Sequence, residues 1–166
     1  MVVVTVGNAT QGFARLLSAV DRLAAMGVFG AERVIMQTGN TSEVSIQHCE
    51  QRAFLPMDEF LRLVEQADLV IAHAGAGTLL NVLRAGKVPV VMPRRKRYGE
   101  HVDDHQMELV EALGSTGWVI PALEPRDLPS AIAEARCRPR TVPGRGRSQM
   151  LSLIGVAIQQ LLDNRK

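Results

Sequence analysis

An α/β fold, a Rossmann-like parallel sheet with helices on both faces, is predicted by three features of the chain. Short, almost purely apolar runs such as Val2-Val-Val-Thr-Val6 and Asp68-Leu-Val-Ile-Ala72 alternate with longer segments of helical periodicity. Strands that lack polar alternation are buried on both faces, which is the condition of a parallel sheet covered by helices. A length of 166 residues, 46% of them hydrophobic, suffices for one domain with its own core.

The elements follow in order. Val2–Val6 reads as a strand ended by Gly7. Phe13, Leu16, Leu17, Val20, Leu23 and Ala24 recur at helical spacing until Gly27 stops them. Arg33–Gln37 reads as the second strand, and a short third covers either Ser45–His48 or Ala53–Leu55. Asp58 is placed as the cap of a helix whose inner face holds Phe60, Leu61, Val64 and Ala67. A strand at 68–72, a helix from about 77 to 85 and a strand at Val88–Met92 come next. The loop Pro93–Asp103 leads to a helix over about 104–113, a strand at Trp118–Ile120 and a helix over about 127–136. The predicted domain therefore spans 1–134, followed by a linker rich in Arg, Pro and Gly at 135–148 and an amphipathic terminal helix at 149–166.

Charge is nearly balanced at +2 but unevenly spread. Residues 1–83 hold five Arg against eight acidic groups, and residues 84–166 hold fourteen Lys or Arg against nine. The asymmetry suits an anionic ligand near the second half as well as it suits ordinary solvated charge, and it is too weak to argue for nucleic acid. Cys49 and Cys137 form no metal-spaced pattern and read as free thiols. With no leader-like start and no apolar stretch of membrane-spanning length, the expectation is a soluble, cytoplasmic protein.

Ligands of such sheets bind at the carboxyl ends of the strands. Three segments fall there: Gly7–Gly12, His73–Thr78 and the 93–106 loop with its helix start. Gly7-Asn-Ala-Thr-Gln-Gly12 has the outer glycine spacing of a phosphate loop but continues with Phe13-Ala14, so it lacks the lysine and hydroxyl of a Walker site. Gly75-Ala-Gly77 reaches Leu80 where a dinucleotide fingerprint needs its third glycine. What remains at His73-Ala-Gly-Ala-Gly-Thr78 is a helix start with unpaired N–H groups, a hydroxyl at Thr78 and Asn81 on the same side of the helix. It reads either as a tight strand–helix turn with a core histidine or as an anion site suited to a diphosphate and its ribose. Arg94-Arg-Lys-Arg97 has three readings: a cleft wall, a docking surface, or a solvated loop.

The stretches "ADLVIAHAGAGT", "GKVPVVMPR" and "HVDDHQ" resemble the glycosyltransferase family 28 C-terminal domain, the donor-binding half of GT-B glycosyltransferases. "VVVTVGNATQGFARLLSAVDRL" and "RAFLPMDEFLRLVEQADLVIAHAGAGT" are similar to the small donor-binding subunits of split enzymes, those of dolichol-linked and of exopolysaccharide or capsule assembly. The resemblance covers residues 1 to about 120. It implies an inverting transfer from a UDP-sugar to a lipid-linked acceptor at the cytosolic face of a membrane, with a membrane-anchored partner subunit supplying the acceptor site. It also implies roles for particular residues. His73, Gly75, Gly77 and Thr78 would hold the diphosphate, and Gly7, Thr10, Gln11 and Gly12 would close on it. Leu55 would meet the uracil through its backbone, and His105 and Gln106, joined by Asp104, would meet the sugar. Asn81 stands where a glutamate commonly grips the ribose hydroxyls, and Gly12 stands for a frequent proline.

Neutral donors and a helix start can stabilise a leaving diphosphate, so neither cofactor nor metal is expected. His101 and His105 are the candidates within this chain for the base that takes the acceptor's proton, although GT-B enzymes usually draw it from the acceptor domain. The alternative function is a non-catalytic, regulatory subunit that binds nucleotide-sugars, a reading that Asn81 favours.

Overall fold

The computed structural model describes residues 1–138, together with Ser152 and Gly155. Of the predicted linker, 135–137 continue the last helix and 139–148 lie outside the described residues, as does the predicted terminal helix apart from Ser152 and Gly155. Six strands form one parallel sheet: β1 (Val2–Thr5), β2 (Val34–Gln37), β3 (Glu50–Arg52), β4 (Leu69–His73), β5 (Val90–Met92) and β6 (Ile120–Pro121). Their spatial order is β3-β2-β1-β4-β5-β6. The described residues form five α-helices, four between strands and the last after β6: α1 (Ala14–Ala25), α2 (Met57–Gln66), α3 (Ala76–Arg84), α4 (His105–Ser115) and α5 (Leu128–Cys137).

The pleat divides the apolar runs between two helical layers. Val2, Val4, Val34, Met36, Leu69, Ile71, Val90 and Met92 turn toward Leu16, Leu17 and Val20 of α1 and Leu128 and Ile132 of α5. Val3 and Val70 pack with Phe60 and Val64 of α2 and Val82 of α3, while Ala72 and Val91 pack with Leu79 of α3 and Leu109 and Leu113 of α4. Because both faces are covered, β1, β2, β4 and β5 are apolar at nearly every position.

Three local expectations are corrected. The third strand is Glu50–Arg52, at neither predicted place. It is a short, polar edge strand, where charge guards an open ladder and apolar periodicity is absent. Helix α2 begins at Met57 with Pro56 at the N-cap position and no side-chain cap, so Asp58 lies inside the first turn, where its charge favours the helix start. The last strand is Ile120–Pro121, and Trp118 precedes it, partly buried against the cluster around α4. Pro121 is tolerated because β6 is an edge.

The order of strands positions the site. The chain leaves β1 through α1 on one face and leaves β4 through α3 on the other. Thr5 pairs with Ala72, so the carboxyl ends of these neighbours open a crevice between two diverging connections. Among the described residues no helix is long and apolar enough to cross a membrane. Cys49 and Cys137 are free, and burial pushes the Cys49 thiol up to about 12.

Candidate functional site

The crevice holds a cavity of about 290 Å3. Its lining joins a polar wall of Thr5, Gly7, Asn8 and Gln37, an apolar shelf of Leu55, Met57 and Phe60, and His73, Gly75, Gly77, Thr78 and Asn81. That helix begins one residue before the predicted Gly77, at Ala76, with Gly75 in extended conformation at the N-cap position and no side-chain cap. Its first backbone bond runs from Leu79 N–H to the Gly75 carbonyl, so the amides of Ala76, Gly77 and Thr78 precede the helical ladder. Thr78 stands in the first turn, and Asn81 one turn further in.

His73 ends β4 buried, its imidazole lodged between two glycines. A Cβ on Gly7, whose φ is +70°, or on Gly75 would overlap the His73 ring. Glycine at both positions is therefore required by the histidine as well as by any ligand. Burial, reinforced by the Arg94 guanidinium and opposed by a bond with the Thr5 backbone, lowers the His73 pKa to about 3. The ring is neutral at physiological pH, and among the described residues its Nδ1 has no hydrogen-bond partner.

The polar wall is a connected set. Gly7 N–H donates to Thr5 Oγ1 (3.1 Å), Thr5 Oγ1 donates to Gln37 Oε1 (2.9 Å), and Gln37 Nε2 donates to Asn8 Oδ1 (3.0 Å). Asn8 retains its amide N–H groups as donors at the cavity. Asn81 Nδ2 lies 3.8 Å from Met57 Sδ, a weak contact.

The remainder of the first loop does not reach this cavity. Thr10 is exposed and donates to Gln11 Oε1, and the Gln11 and Gly12 carbonyls accept from Arg94 Nη1 at 2.9 and 3.0 Å. Gly12 instead lines a separate cavity of about 310 Å3 with Arg15, Tyr98 and Glu100. Of the first-loop residues expected to close on a diphosphate, Gly7 lines this cavity, while Arg94 holds the Gln11 and Gly12 carbonyls.

That cation went unrecognised within the run Arg94–Arg97. Arg94 is fully buried, donating also to the Val6 and Glu100 carbonyls, with its guanidinium 4.8 Å from the Phe13 ring centroid. Burial lowers its pKa to about 10, with Glu100 opposing, so it stays charged at neutral pH. Glu100, also buried, binds Arg15 through Oε1 (2.9 Å) and Oε2 (2.8 Å) and accepts the Arg95 N–H. These bonds tie the 94–100 loop to the start of α1. The position of Arg94 just past β5, after Pro93, was the signal; three adjacent basic residues masked it.

A third cavity, of about 170 Å3, shares Gly75 with the first and is lined also by Ala74, Ala76, His101, Asp103, His105, Gln106 and Leu109. Gln106 Oε1 accepts from both Ala74 N–H (3.1 Å) and Arg94 N–H (3.0 Å), bridging the ends of β4 and β5. Asp104 is exposed and outside this wall, its Oδ1 accepting the Lys96 N–H. His101 Nδ1 and Asp103 Oδ1 are 2.9 Å apart. Among the described residues no group of three or more His, Cys, Asp or Glu is arranged to hold a metal ion.

The chain is 30% identical over 152 residues to the UDP-N-acetylglucosamine transferase subunit ALG13 of Homo sapiens, covering 89% of this chain and 12% of that protein. It is 28% identical over 145 residues to the UDP-N-acetylglucosamine–N-acetylmuramyl-(pentapeptide) pyrophosphoryl-undecaprenol N-acetylglucosamine transferase of Ralstonia nicotianae, covering 87% of this chain and 37% of that one. The NMR solution structure of ALG13 superposes with a TM-score of 0.61 at 20% identity, over 92% of this chain and 94% of that chain, a likeness of fold. The chain thus spans well under half the length of these two sequence relatives. The model of the glycosyltransferase family 28 C-terminal domain matches residues 1–148, and the chain belongs to that family.

Proposed function

We propose that this chain is the donor-binding part of a two-component, inverting glycosyltransferase that moves a sugar from a UDP-sugar to a lipid-linked acceptor at a membrane. The observation that carries the reading is the uncapped start of α3, opening into one cavity with the apolar shelf of Leu55, Met57 and Phe60. A nucleoside diphosphate needs that combination: fixed N–H dipoles for the phosphates and a flat apolar surface for the base. UDP-N-acetylglucosamine is the favoured donor because both relatives are named for its transfer, and the Ralstonia protein's name includes a pyrophosphoryl-undecaprenol acceptor. Neither name refers to exopolysaccharide, so the proposal stops at the lipid-linked class.

In the reaction, the acceptor hydroxyl displaces the diphosphate at the anomeric carbon. The amides of Ala76–Thr78 and the Thr78 hydroxyl meet the charge that grows on the leaving group. Donors preset in this way need no metal ion. The acceptor, the base and the membrane anchor come from the partner subunit.

Calorimetry with UDP, ADP and GDP, with and without EDTA, tests the reading. UDP binds in preference to both, and EDTA makes no difference; preference for ADP or loss of binding in EDTA overturns it. Asn81→Ala weakens UDP roughly fivefold, the worth of about 1 kcal/mol of hydrogen bonding, and leaves inorganic pyrophosphate unchanged because that ligand has no ribose. Equal weakening of both ligands would mean that Asn81 shapes the turn instead.

A further inference from the structure

Arg94 is a buried cation held by carbonyls instead of a carboxylate. Its guanidinium donates to the backbone carbonyls of Val6 (2.8 Å), Gln11 (2.9 Å), Gly12 (3.0 Å) and Glu100 (3.0 Å). Among the described residues no carboxylate forms an ion pair with it; Glu100 gives its side chain to Arg15 and to the Arg95 N–H. A charge buried without an ionic partner costs more stability than an apolar side chain of similar volume would. Stability alone therefore gives no reason for a guanidinium here. What the guanidinium does is hold one loop by its carbonyls.

In a trans peptide the carbonyl and the following N–H point in opposite directions. Holding the Val6 carbonyl from inside thus turns the Gly7 N–H away from Arg94, to Thr5 Oγ1, where the relay through Gln37 to Asn8 begins. Gly7 and Asn8, at the two ends of that relay, both line the donor cavity. The far end of the loop is held in the same way, through the Gln11 and Gly12 carbonyls. From the exposed side, Asn40 Nδ2 adds a tie to the Ala9 carbonyl (2.9 Å).

We infer that Arg94 is a positioning residue for the donor: it sets the first loop, from Val6 to Gly12, before the ligand arrives, so that Gly7 and Asn8 stand ready as a wall of the cavity. The inference rests on the donor-binding reading proposed above. Arg94 lines none of the three cavities and acts through the loop. A preset wall spares binding the cost of ordering a loose one. Arginine suits the task because its planar fork reaches several carbonyls at once, whereas a lysine ammonium is a point charge. Arg94 also adds its charge to the burial that keeps His73 neutral, so the loop and the imidazole beside Gly7 answer to the same residue.

NMR of the full chain tests the preset loop without any variant. The Arg94 Nη–H signals are resolved and exchange slowly in the free protein, and UDP leaves them unchanged while shifting the backbone amides of Gly7 and Asn8. Arg94 signals that appear only with UDP would mean that the ligand orders the loop, and the inference fails. It fails as well if UDP shifts the amides of Ala76–Thr78 but not those of Gly7 and Asn8, in which case the donor-binding reading stands. Arg94→Lys, with its fold checked by thermal melt, tests the residue itself. With the base on the apolar shelf, the polar wall is left for the phosphates. UDP affinity therefore falls by roughly tenfold, the worth of one or two hydrogen bonds, whereas uridine, which has no phosphate, keeps its affinity. Equal weakening of UDP and uridine would reduce Arg94 to a part of the general fold, and wild-type UDP affinity would remove it from binding altogether; either result overturns the inference. Failure of the wild type to bind UDP at all overturns the donor-binding reading with it.

Discussion

His73 governs the site more than its exposure suggests. It ends β4 in the crevice, fills the space between Gly7 and Gly75, and is held neutral with a pKa of about 3 against an ordinary 6.5. The consequence is a stability that depends on pH. Between these two values the unfolded chain binds a proton at this residue and the folded chain does not. Stability therefore falls as pH falls through that window, by up to about 1.4 kcal/mol per pH unit from this residue alone. Asp21 and Glu32, whose pKa values are lowered by hydrogen bonds that outweigh burial, add acid sensitivity further down. Denaturant titrations between about pH 6 and pH 4.5 isolate the histidine. His73→Gln should flatten the slope of stability against pH there, whatever it does to stability at pH 7; an unchanged slope would mean that His73 is not buried as a neutral ring.

The start of α3 is an element whose sequence serves two demands. It must leave its first amides uncapped, and it must pass close to the His73 ring. Gly75 and Gly77 answer them differently: a Cβ on Gly75 would overlap the imidazole, whereas one on Gly77 meets nothing within 4 Å. Gly75→Ala should cost about 1–3 kcal/mol, the usual penalty of overpacking, and should displace the helix start enough to abolish UDP binding. Gly77→Ala should be near neutral in stability, because alanine favours the helix. Paired thermal melts read the contrast, and similar melting temperatures for the two variants would show that the wedge is not rigid. The 94–100 loop is the complementary element. Arg94 and Glu100 convert what reads as a basic surface run into a buried tie between β5 and the first loop.

On the scale of the whole molecule, the cavities lie along the carboxyl edge of one sheet. Direct displacement needs an acceptor held opposite the anomeric carbon, and the proposed partner supplies that wall. The purified chain should therefore transfer no measurable label from UDP-N-acetylglucosamine to a polyprenyl-diphosphate acceptor, and addition of the membrane-anchored subunit should restore transfer. Robust turnover by the chain alone would contradict the two-component proposal and place the base on His101 or His105.

The fold class was legible because burial on two faces leaves its record in every strand residue. Val2–Thr5 and Leu69–His73 are apolar at nearly every position, and the helices between them carry one apolar stripe. Glu50–Arg52 was not legible: an edge strand is held by backbone pairing, and its side chains need no pattern. At the site, Gly75 beside His73 and the helix start were visible in "HAGAGT" because backbone geometry dictates residue type locally. Contacts across the crevice depended on tertiary structure alone. Arg94 reaches carbonyls more than eighty residues away, Gln106 bridges two strands, and Asp103 rather than Asp104 lines the smaller cavity. Local spacing carries no information about such distant partners, and in a run of like charges or adjacent aspartates only the folded chain decides which member is buried, tied or free to meet a ligand.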